Sequence, residues 1–464
     1  KIQEITSTGK LGFYEDLKKT IPEGLLDLLN IPSVGPRTAG LLYEKLKIKN
    51  IPDLEIAITE GKLEGIPGIK EKTIENILKG IQLIKRGKER MPLAAAMQLS
   101  EDFLGALKKI KEVKVICPAG SLRRCRETVR DIDILVTSDK PQKIMDVFTS
   151  LLQVKEVLAK GETKSSVRTL DDVQIDCRVV EEKSFGAALM YFTGSQNFNV
   201  HIRKLAQKKG WKINEYGVFS AEGEKFLAGR TEEEIFKLFK MQYIEPELRE
   251  DRGEFELALE NRLPELIQIM DIKGDLHCHS NYSDGGNSIE EMAKAAQKKG
   301  YSYIAITDHS QSLKIAGGVC IKDLDKKKEE IKRLNHQLKD FRIIYGTEVD
   351  IDSQGQIDYP DNVLKEFDIV VGAIHTGFKQ SPEQLTKRIV QACQNKFVHI
   401  ISHPTGRLWG TRDSYELDFE KIFKVAQETN TALEINSFPQ RLDLNDQNSH
   451  FAKKMGVKLA INTD

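Results

Sequence analysis

At 464 residues the chain is too long for one hydrophobic core, and about two to four domains are expected. Hydrophobic residues make up 40% and charged residues 30%, no apolar run is long enough to span a bilayer and no signal peptide is visible, which argues against a membrane protein and fits the cytoplasm. Lys plus Arg (70) balance Asp plus Glu (70), so affinity for nucleic acid has to come from local basic patches, and six scattered Cys without a Cys-x-x-Cys pair argue against a disulfide framework or a Cys-type zinc site.

The first ninety residues are predicted as short helices broken by Pro and Gly. Two stretches look alike, Ile31-Pro32-Ser33-Val34-Gly35-Pro36-Arg37-Thr38-Ala39 and Ile66-Pro67-Gly68-Ile69-Lys70-Glu71-Lys72-Thr73. Each runs into an apolar-periodic helix, Leu41-Leu42-Leu46 in one and Ile74-Ile77-Leu78-Ile81 in the other. A turn opening onto a helix N-terminus points backbone N–H groups outward and suits a phosphate, and Gly lets the phosphate backbone come close. The stretches resemble helix-hairpin-helix DNA-binding motifs, although Ser33 stands at the first Gly position of one and Lys70 at the second Gly position of the other. The resemblance implies that Gly35, Arg37, Thr38, Gly68, Lys70 and Lys72 hold a DNA strand without reading bases, with a monovalent cation at the hairpins.

From about Leu93 helices and strands alternate, with strands predicted at Val113–Cys117, Ile132–Val136 and Val173–Val179. Within them lie Gly120-Ser121-Leu122-Arg123-Arg124 and Asp131-Ile132-Asp133. Alternation puts Asp131 and Asp133 on one face of a strand while Ile132, Ile134 and Val136 face a core. Two close carboxylates repel unless a cation lies between them. Two divalent ions held this way activate a 3′-hydroxyl and stabilise a leaving pyrophosphate. Asp176, flanked by apolar residues, supplies the expected third carboxylate. The Gly120-Ser121 turn offers N–H and hydroxyl groups to a triphosphate, and Arg124 a guanidinium. The segment resembles the palm of X-family DNA polymerases, the group that includes DNA polymerase beta. Tyr191-Phe192-Thr193-Gly194-Ser195 matches a family element, which implies that Tyr191, Phe192 and Gly194 lie against the incoming nucleotide. Asn199 and Arg203 fall at the family's minor-groove positions, and Trp211 to Gly217 continues the thumb. Arg130 departs from polymerase beta, which has Gly there. Tyr243 through Gly253 resembles the stretch that closes this domain in bacterial members, and the charged run Glu245–Glu256 followed by Leu263–Met270 reads as a connector.

Beyond Lys273, strand-like runs alternate with helices, which indicates an α/β domain with a largely parallel sheet. In Asp275-Leu276-His277-Cys278-His279-Ser280, alternate positions put His277 and His279 on one side of a strand end, ready to share a metal. Asp284, His309, Glu348, His375, His403 and Asp464 follow or end later runs. The constellation is similar to the polymerase and histidinol phosphatase (PHP) domain. That resemblance implies one metal on His277, His279, Glu348 and Asp464, a second on Glu348, His375 and His403, and a third on Asp284 and His309. The ions would be Zn2+, Mn2+ or Fe, and in bacterial X-family enzymes this domain supplies 3′→5′ exonuclease activity.

The expected chain is multidomain: a remnant of a small N-terminal domain at 1–18, a helical hairpin region at 19–92, an α+β nucleotidyltransferase palm at 93–181, a thumb at 182–252, a linker at 253–271, and at 272–464 an α/β distorted (β/α)7-type PHP barrel lacking its C-terminal end. Both ends read as truncated against the family pattern. Any lyase lysine would precede residue 1, and a His completing the third metal site would follow Asp464. Asp464 is then expected to fray, leaving fewer than three metals and little exonuclease activity. The expected function is gap filling in DNA repair, including base excision repair, by a cytoplasmic monomer without a membrane partner. It would act on gapped or primer–template DNA with dNTPs and Mg2+ or Mn2+ at Asp131, Asp133 and Asp176, and carry PHP-dependent exonuclease or AP-endonuclease activity. The alternatives are an end-processing nuclease whose polymerase core only positions DNA, and a non-catalytic DNA end-binding scaffold. Intact carboxylates in the palm argue against the first, and intact ligands in both domains against the second.

Overall fold

The computed structural model describes residues 22–31, 34–220 and 225–464. The predicted N-terminal remnant, and Pro32 and Ser33 of the first hairpin, lie outside the described residues. One compact unit spans Arg90–Lys273; the other contains the described residues before it and those from Gly274 to Asp464.

In the helical region a 3-10 turn, Glu23–Asn30, precedes α1 (Pro36–Leu46), α2 (Ile51–Thr59) and α3 (Glu71–Glu89). Pro in the first turn of α1 and α2 removes no intrahelical hydrogen bond, because those N–H groups have no partner inside the helix. Asn50 caps α2 by accepting from Asp53 N at 2.8 Å. Leu28, Leu42, Leu54, Leu63, Ile77 and Ile81 close a small core. Leu78, assigned by periodicity to the same face, is instead exposed.

In the unit Arg90–Lys273, helices α4 (Leu93–Lys108), α5 (Gly120–Arg123) and α6 (Pro141–Thr149) accompany five strands. These are β1 (Val115–Pro118), β2 (Asp131–Thr137), β3 (Val154–Lys160), β4 (Lys164–Thr169) and β5 (Gln174–Val180), in sheet order β1-β2-β5-β4-β3. Only β2 and β5 pair in parallel. Ile132, Ile134 and Val136 are buried with Phe103 and Phe148, as the alternation predicts. Next come α7 (Phe185–Thr193), α8 (Gln196–Lys208), an antiparallel sheet of β6 (Trp211–Asn214), β7 (Gly217–Ser220) and β8 (Phe226–Ala228), then α9 (Glu232–Phe239) and α10 (Glu254–Leu259).

The charged run from Glu245 is not a connector. Phe255 and Ala258 pack with Phe198 and Phe236, and Arg249 is fully buried. The charge is there because Glu232, itself 3% exposed, needs partners. Arg123 reaches it at 2.7 and 2.9 Å, Arg249 at 2.5 Å and the Tyr243 hydroxyl at 2.7 Å. Burial alone would raise the Glu232 carboxyl, but the Arg123 and Arg249 guanidiniums outweigh it and bring it down to about 2. Since this lies below the ordinary 4.5, the stabilisation is complete above pH 4.5 and is lost as pH falls toward 2. Glu232→Gln leaves two shielded guanidiniums without a counter-charge, and we expect it to cost roughly 3–5 kcal/mol. Thermal unfolding of the full chain between pH 2 and 7 checks this. A variant whose acid limb matches that of the parent chain refutes it.

In the barrel unit seven parallel strands follow one another in chain order: β9 (Gly274–Asp275), β10 (Tyr303–Ile306), β11 (Arg342–Asp350), β12 (Ile369–Ala373), β13 (Ile400–Ile401), β14 (Ala432–Asn436) and β15 (Leu459–Asn462). Helices α11 (Ile289–Lys298), α12 (Ile321–Gln337), α13 (Pro382–Gln394), α14 (Phe419–Thr429) and α15 (Asp446–Lys454) alternate with them. The period of two decides the layers. Ile304, Ile306, Ile343, Val370 and Ile401 join the larger core with the helices. Ala305, Ile369, Val371 and Ile400 form a smaller cluster with Leu276, Ile344, Ala432 and Ala460. The ends of the sheet are tied by Asp464 N donating to His277 O at 2.9 Å and Leu276 N to Asn462 Oδ1 at 3.1 Å. No helix among the described residues is long and apolar enough to cross a membrane.

Candidate functional site

In the palm, register makes Asp133 the direct partner of Asp176 on adjacent strands, with Asp131 opposite Gln174. Burial, then the Asp131 and Asp176 charges, push the Asp133 carboxyl up to about 6. A half-buried carboxylate beside two others is a strong cation ligand, because an ion removes repulsion that a proton otherwise has to relieve. The three carboxylates are not drawn within 4.8 Å of one another, as the barrel groups below are. Gly120 has φ +65°, and a Cβ there would lie 2.7 Å from Asp133 Oδ2, so only glycine lets this turn approach the carboxylate. Arg124 donates from Nε to Glu250 at 2.8 Å and from Nη1 to Thr193 O at 2.5 Å. Asn199 Nδ2 donates to Tyr191 O at 2.7 Å, and the Arg203 guanidinium lies 5.3 Å from the Tyr191 ring centroid. Ser121, Tyr191 and Phe192 are half-buried near the same turn-bearing elements, and Arg130 is exposed.

In the barrel, the predicted ligands collect at the C-terminal ends of the strands. His277 follows β9, His309 follows β10, His375 follows β12, His403 follows β13 and Asp464 follows β15. Glu348 sits inside β11, because that strand runs on past the predicted Tyr345 to pair with β12. Glu348 is the hub. Its oxygens lie 3.3 Å from His277 Nε2, 2.8 Å from His309 Nδ1, 3.5 Å from His375 Nε2 and 3.1 Å from His403 Nε2. Three groups have ligand atoms within 4.8 Å of one another: His277, His279, Glu348 and Asp464; His279, Asp284 and His309; and His309, Glu348 and His375. The first is the set that the resemblance implied. In the second, His279 joins the expected pair. In the third, His309 stands where His403 was expected, because His309 Nδ1 approaches Glu348 Oε2 from one side while His403 Nε2 meets Oε1 from the other.

Asp464 is tied down by both its backbone and its side chain. Besides its backbone bond to His277, its Oδ2 accepts from Asn436 Nδ2 at 2.9 Å and lies 3.1 Å from Arg441 Nε.

These residues fit a divalent cation. His279 Nδ1, His309 Nδ1, Glu348 Oε2 and His403 Nδ1 are buried without a hydrogen-bond partner. The short approach of His309 Nδ1 to Glu348 Oε2 is a close charge contact without hydrogen-bond alignment. Such atoms are costly unless something satisfies them, and imidazole with carboxylate is a donor set for borderline divalent metals. Burial alone would lower the His277 imidazole, but Glu434, Glu348 and Asp464 hold it well above its ordinary value. Glu348 and Asp350 likewise outweigh burial and raise His375 to about 10.

Three supporting residues escaped the sequence reading. Glu434, fully buried, accepts from His277 Nδ1 at 2.8 Å and His403 N at 2.7 Å. Asp350 meets His375 Nδ1 at 2.7 Å. Lys327, 1% exposed, pairs with Asp308 at 2.8 Å, and Asp308 accepts from Ser280 and Ser283 on the loop that carries Asp284. Glu434 at the end of a strand run carried a usable signal; Lys327 on a charged helix carried none. In the hairpins Gly35, Arg37, Gly68, Lys70 and Lys72 are exposed and Thr38 is half-buried. A Cβ at Gly35 would meet nothing within 4 Å, while Gly68 has φ +94°.

Comparison with known proteins agrees with this division. Family models match at residues 25–82 (SAM-like helix-hairpin-helix tandem), 188–250 (DNA polymerase beta thumb) and 275–438 (PHP domain). The DNA polymerase/3′-5′ exonuclease PolX of Bacillus subtilis (strain 168) is 40% identical over 465 residues, 100% of this chain and 81% of the relative. A Thermoanaerobacter sp. (strain X514) protein named "Probable phosphatase" is 33% identical over 201 residues, 41% of this chain and 77% of that protein. DNA polymerase lambda of Rattus norvegicus is 25% identical over 279 residues, 54% of this chain and 46% of the relative. With three matching domain models in this order and a 40% identical relative that aligns with the whole of this chain, the chain belongs to the bacterial-type X-family DNA polymerases that carry a PHP domain.

Proposed function

We propose that this polymerase fills short gaps in DNA during repair and trims 3′ ends with its barrel. The observation that carries the reading is that one chain holds two separate acidic sites, Asp133 beside Asp176 in the palm and the Glu348 cluster in the barrel. Asp131, Asp133 and Asp176 would hold Mg2+ or Mn2+, which lowers the pKa of a 3′-hydroxyl and neutralises phosphate oxygens. Gly120, Ser121 and Arg124 bind the triphosphate. Tyr191, Phe192, Gly194 and Asn199 flank the incoming nucleotide, and Arg203 contacts the duplex. In the barrel His277, His279, Glu348, Asp464, Asp284, His309, His375 and His403 would hold up to three Zn2+, Mn2+ or Fe ions that activate water toward a phosphodiester. Glu434 and Asp350 keep His277 and His375 oriented. The protein works as a monomer.

Incorporation and degradation assayed on one gapped DNA with dNTPs test the proposal. Both activities are expected. Degradation alone would favour the end-processing nuclease, and neither would favour the scaffold.

The hairpins would grip the DNA backbone through Gly35, Arg37, Thr38, Gly68, Lys70 and Lys72, with a monovalent cation among their carbonyls. Replacing Gly35 and Gly68 together by Val is expected to weaken binding to gapped DNA about tenfold or more, whatever its sequence, by keeping the phosphates at a distance. Fluorescence anisotropy at several salt concentrations measures this. Equal affinity in a folded double variant would make the hairpins purely structural.

A further inference from the structure

The arginine and the turn assigned to the nucleotide are both held from the segment that closes the thumb. Arg124 Nε donates to Glu250 Oε1 at 2.8 Å, and Arg124 Nη1 donates to Thr193 O at 2.5 Å. One residue before Glu250, the Arg249 carbonyl accepts from Ser195 N at 3.1 Å. Arg126 Nε lies 3.7 Å from the same Glu250 oxygen. The Arg124 and Glu250 side chains are only 14% and 16% exposed, so water screens this pair less than a surface pair.

A guanidinium carries five N–H donors in a planar fork. For Arg124, the Nε donor and one on Nη1 are engaged, while those on Nη2 meet no protein acceptor among the described residues. Thr193 and Gly194 belong to the nucleotide-binding turn, and a Cβ built on Gly194 would lie 3.4 Å from Arg124 Nη1. The guanidinium is therefore held at the turn, with its Nη edge still able to donate.

We propose that Glu250 is a positioning residue for nucleotide addition. It fixes the Arg124 guanidinium so that the remaining fork edge meets the triphosphate of the incoming nucleotide, and through Arg249 the same segment sets the Gly194-Ser195 turn. A long arginine left to sample rotamers loses that freedom when nucleotide binds, and this loss weakens binding. A carboxylate on Nε removes the loss beforehand. The inference rests on the reading of Arg124 as a triphosphate ligand. The opposite role, in which Glu250 restrains Arg124 from the nucleotide, predicts an effect of opposite sign.

The test uses the full chain, gapped DNA and varied dNTP concentration, with Glu250→Gln, Glu250→Asp, Arg124→Lys and the Glu250→Gln/Arg124→Lys pair. Glu250→Gln is expected to raise KM for dNTP about tenfold. Its kcat and its Kd for gapped DNA should stay within about twofold of the parent chain. Glu250→Asp, which keeps the charge, should recover part of the lost KM. In the Arg124→Lys background the Glu250→Gln substitution should add little further, since the pair acts as a unit. A KM that is unchanged or lower in Glu250→Gln overturns the proposal. So does additivity of the two substitutions, or a joint decline of kcat, DNA affinity and thermal midpoint, which marks a structural role. If Glu250→Gln does not fold, the Glu250→Asp KM decides alone, and a value equal to that of the parent chain overturns it. A parent chain that adds no nucleotide overturns the polymerase reading itself, a separate outcome.

Discussion

Asp133→Ala is expected to lower nucleotide addition by about a thousandfold or more, on the order of the several kcal/mol that a metal-held oxyanion contributes to a transition state. Asp133 is half-buried, and burial, then the charges of its neighbours Asp131 and Asp176, push its carboxyl up to about 6. Removing it takes away a proposed metal ligand and also the strand-to-strand pairing of two acids. The fold should survive, because loss of the side chain relieves repulsion among the three carboxylates; the thermal midpoint of the variant should match or exceed that of the parent chain. Primer extension on gapped DNA gives the rate, and metal analysis of the barrel should give an unchanged value. Gap filling at the parental rate by Asp133→Ala, or by Asp176→Ala, would remove the palm from the reaction.

Glu348→Gln should strip the barrel of most of its metal and reduce 3′→5′ degradation by about a thousandfold, while nucleotide addition continues. The amide keeps the shape of the side chain but carries neither the charge nor the second acceptor oxygen. Glu348 belongs to two of the three ligand groups and lies within 3.5 Å of four imidazoles, so its substitution disturbs both groups at once. Glu434→Gln acts through the orientation of His277, His403 and the Asn436 that also holds Asp464, and should cost less, about ten- to a hundredfold in metal affinity. Metal analysis after dialysis, with digestion of 3′-labelled DNA, ranks the two. Full metal content and full digestion in Glu348→Gln would show that the hub is structural.

The chemistry of this chain was legible in its sequence wherever a motif is contiguous. Asp131-Ile132-Asp133 needs only the alternation of a strand to put two acids on one face, and β2 has that alternation with Ile132 and Ile134 buried. His277 and His279 follow the same logic beyond β9. The parallel run of strands after Lys273 was likewise visible in the rhythm of apolar segments. Tertiary structure alone decided what meets across long separations. Glu232, Arg123 and Arg249 come from three distant segments, and no local pattern marks their pairing, so the charged run from Glu245 looked like a solvated connector when it is part of the thumb core. Which imidazoles share Glu348 depended on the length of β11 and the approach of His309 and His403 from opposite sides, and these follow from strand pairing. Lys327 is the extreme case: on a highly charged helix it reads as a surface residue, yet the sheet beneath α12 buries it against Asp308 and two strand carbonyls. Sequence periodicity reports which face an element presents; which partner waits there is set by packing, because a buried charge is tolerated only where the fold brings its counter-charge.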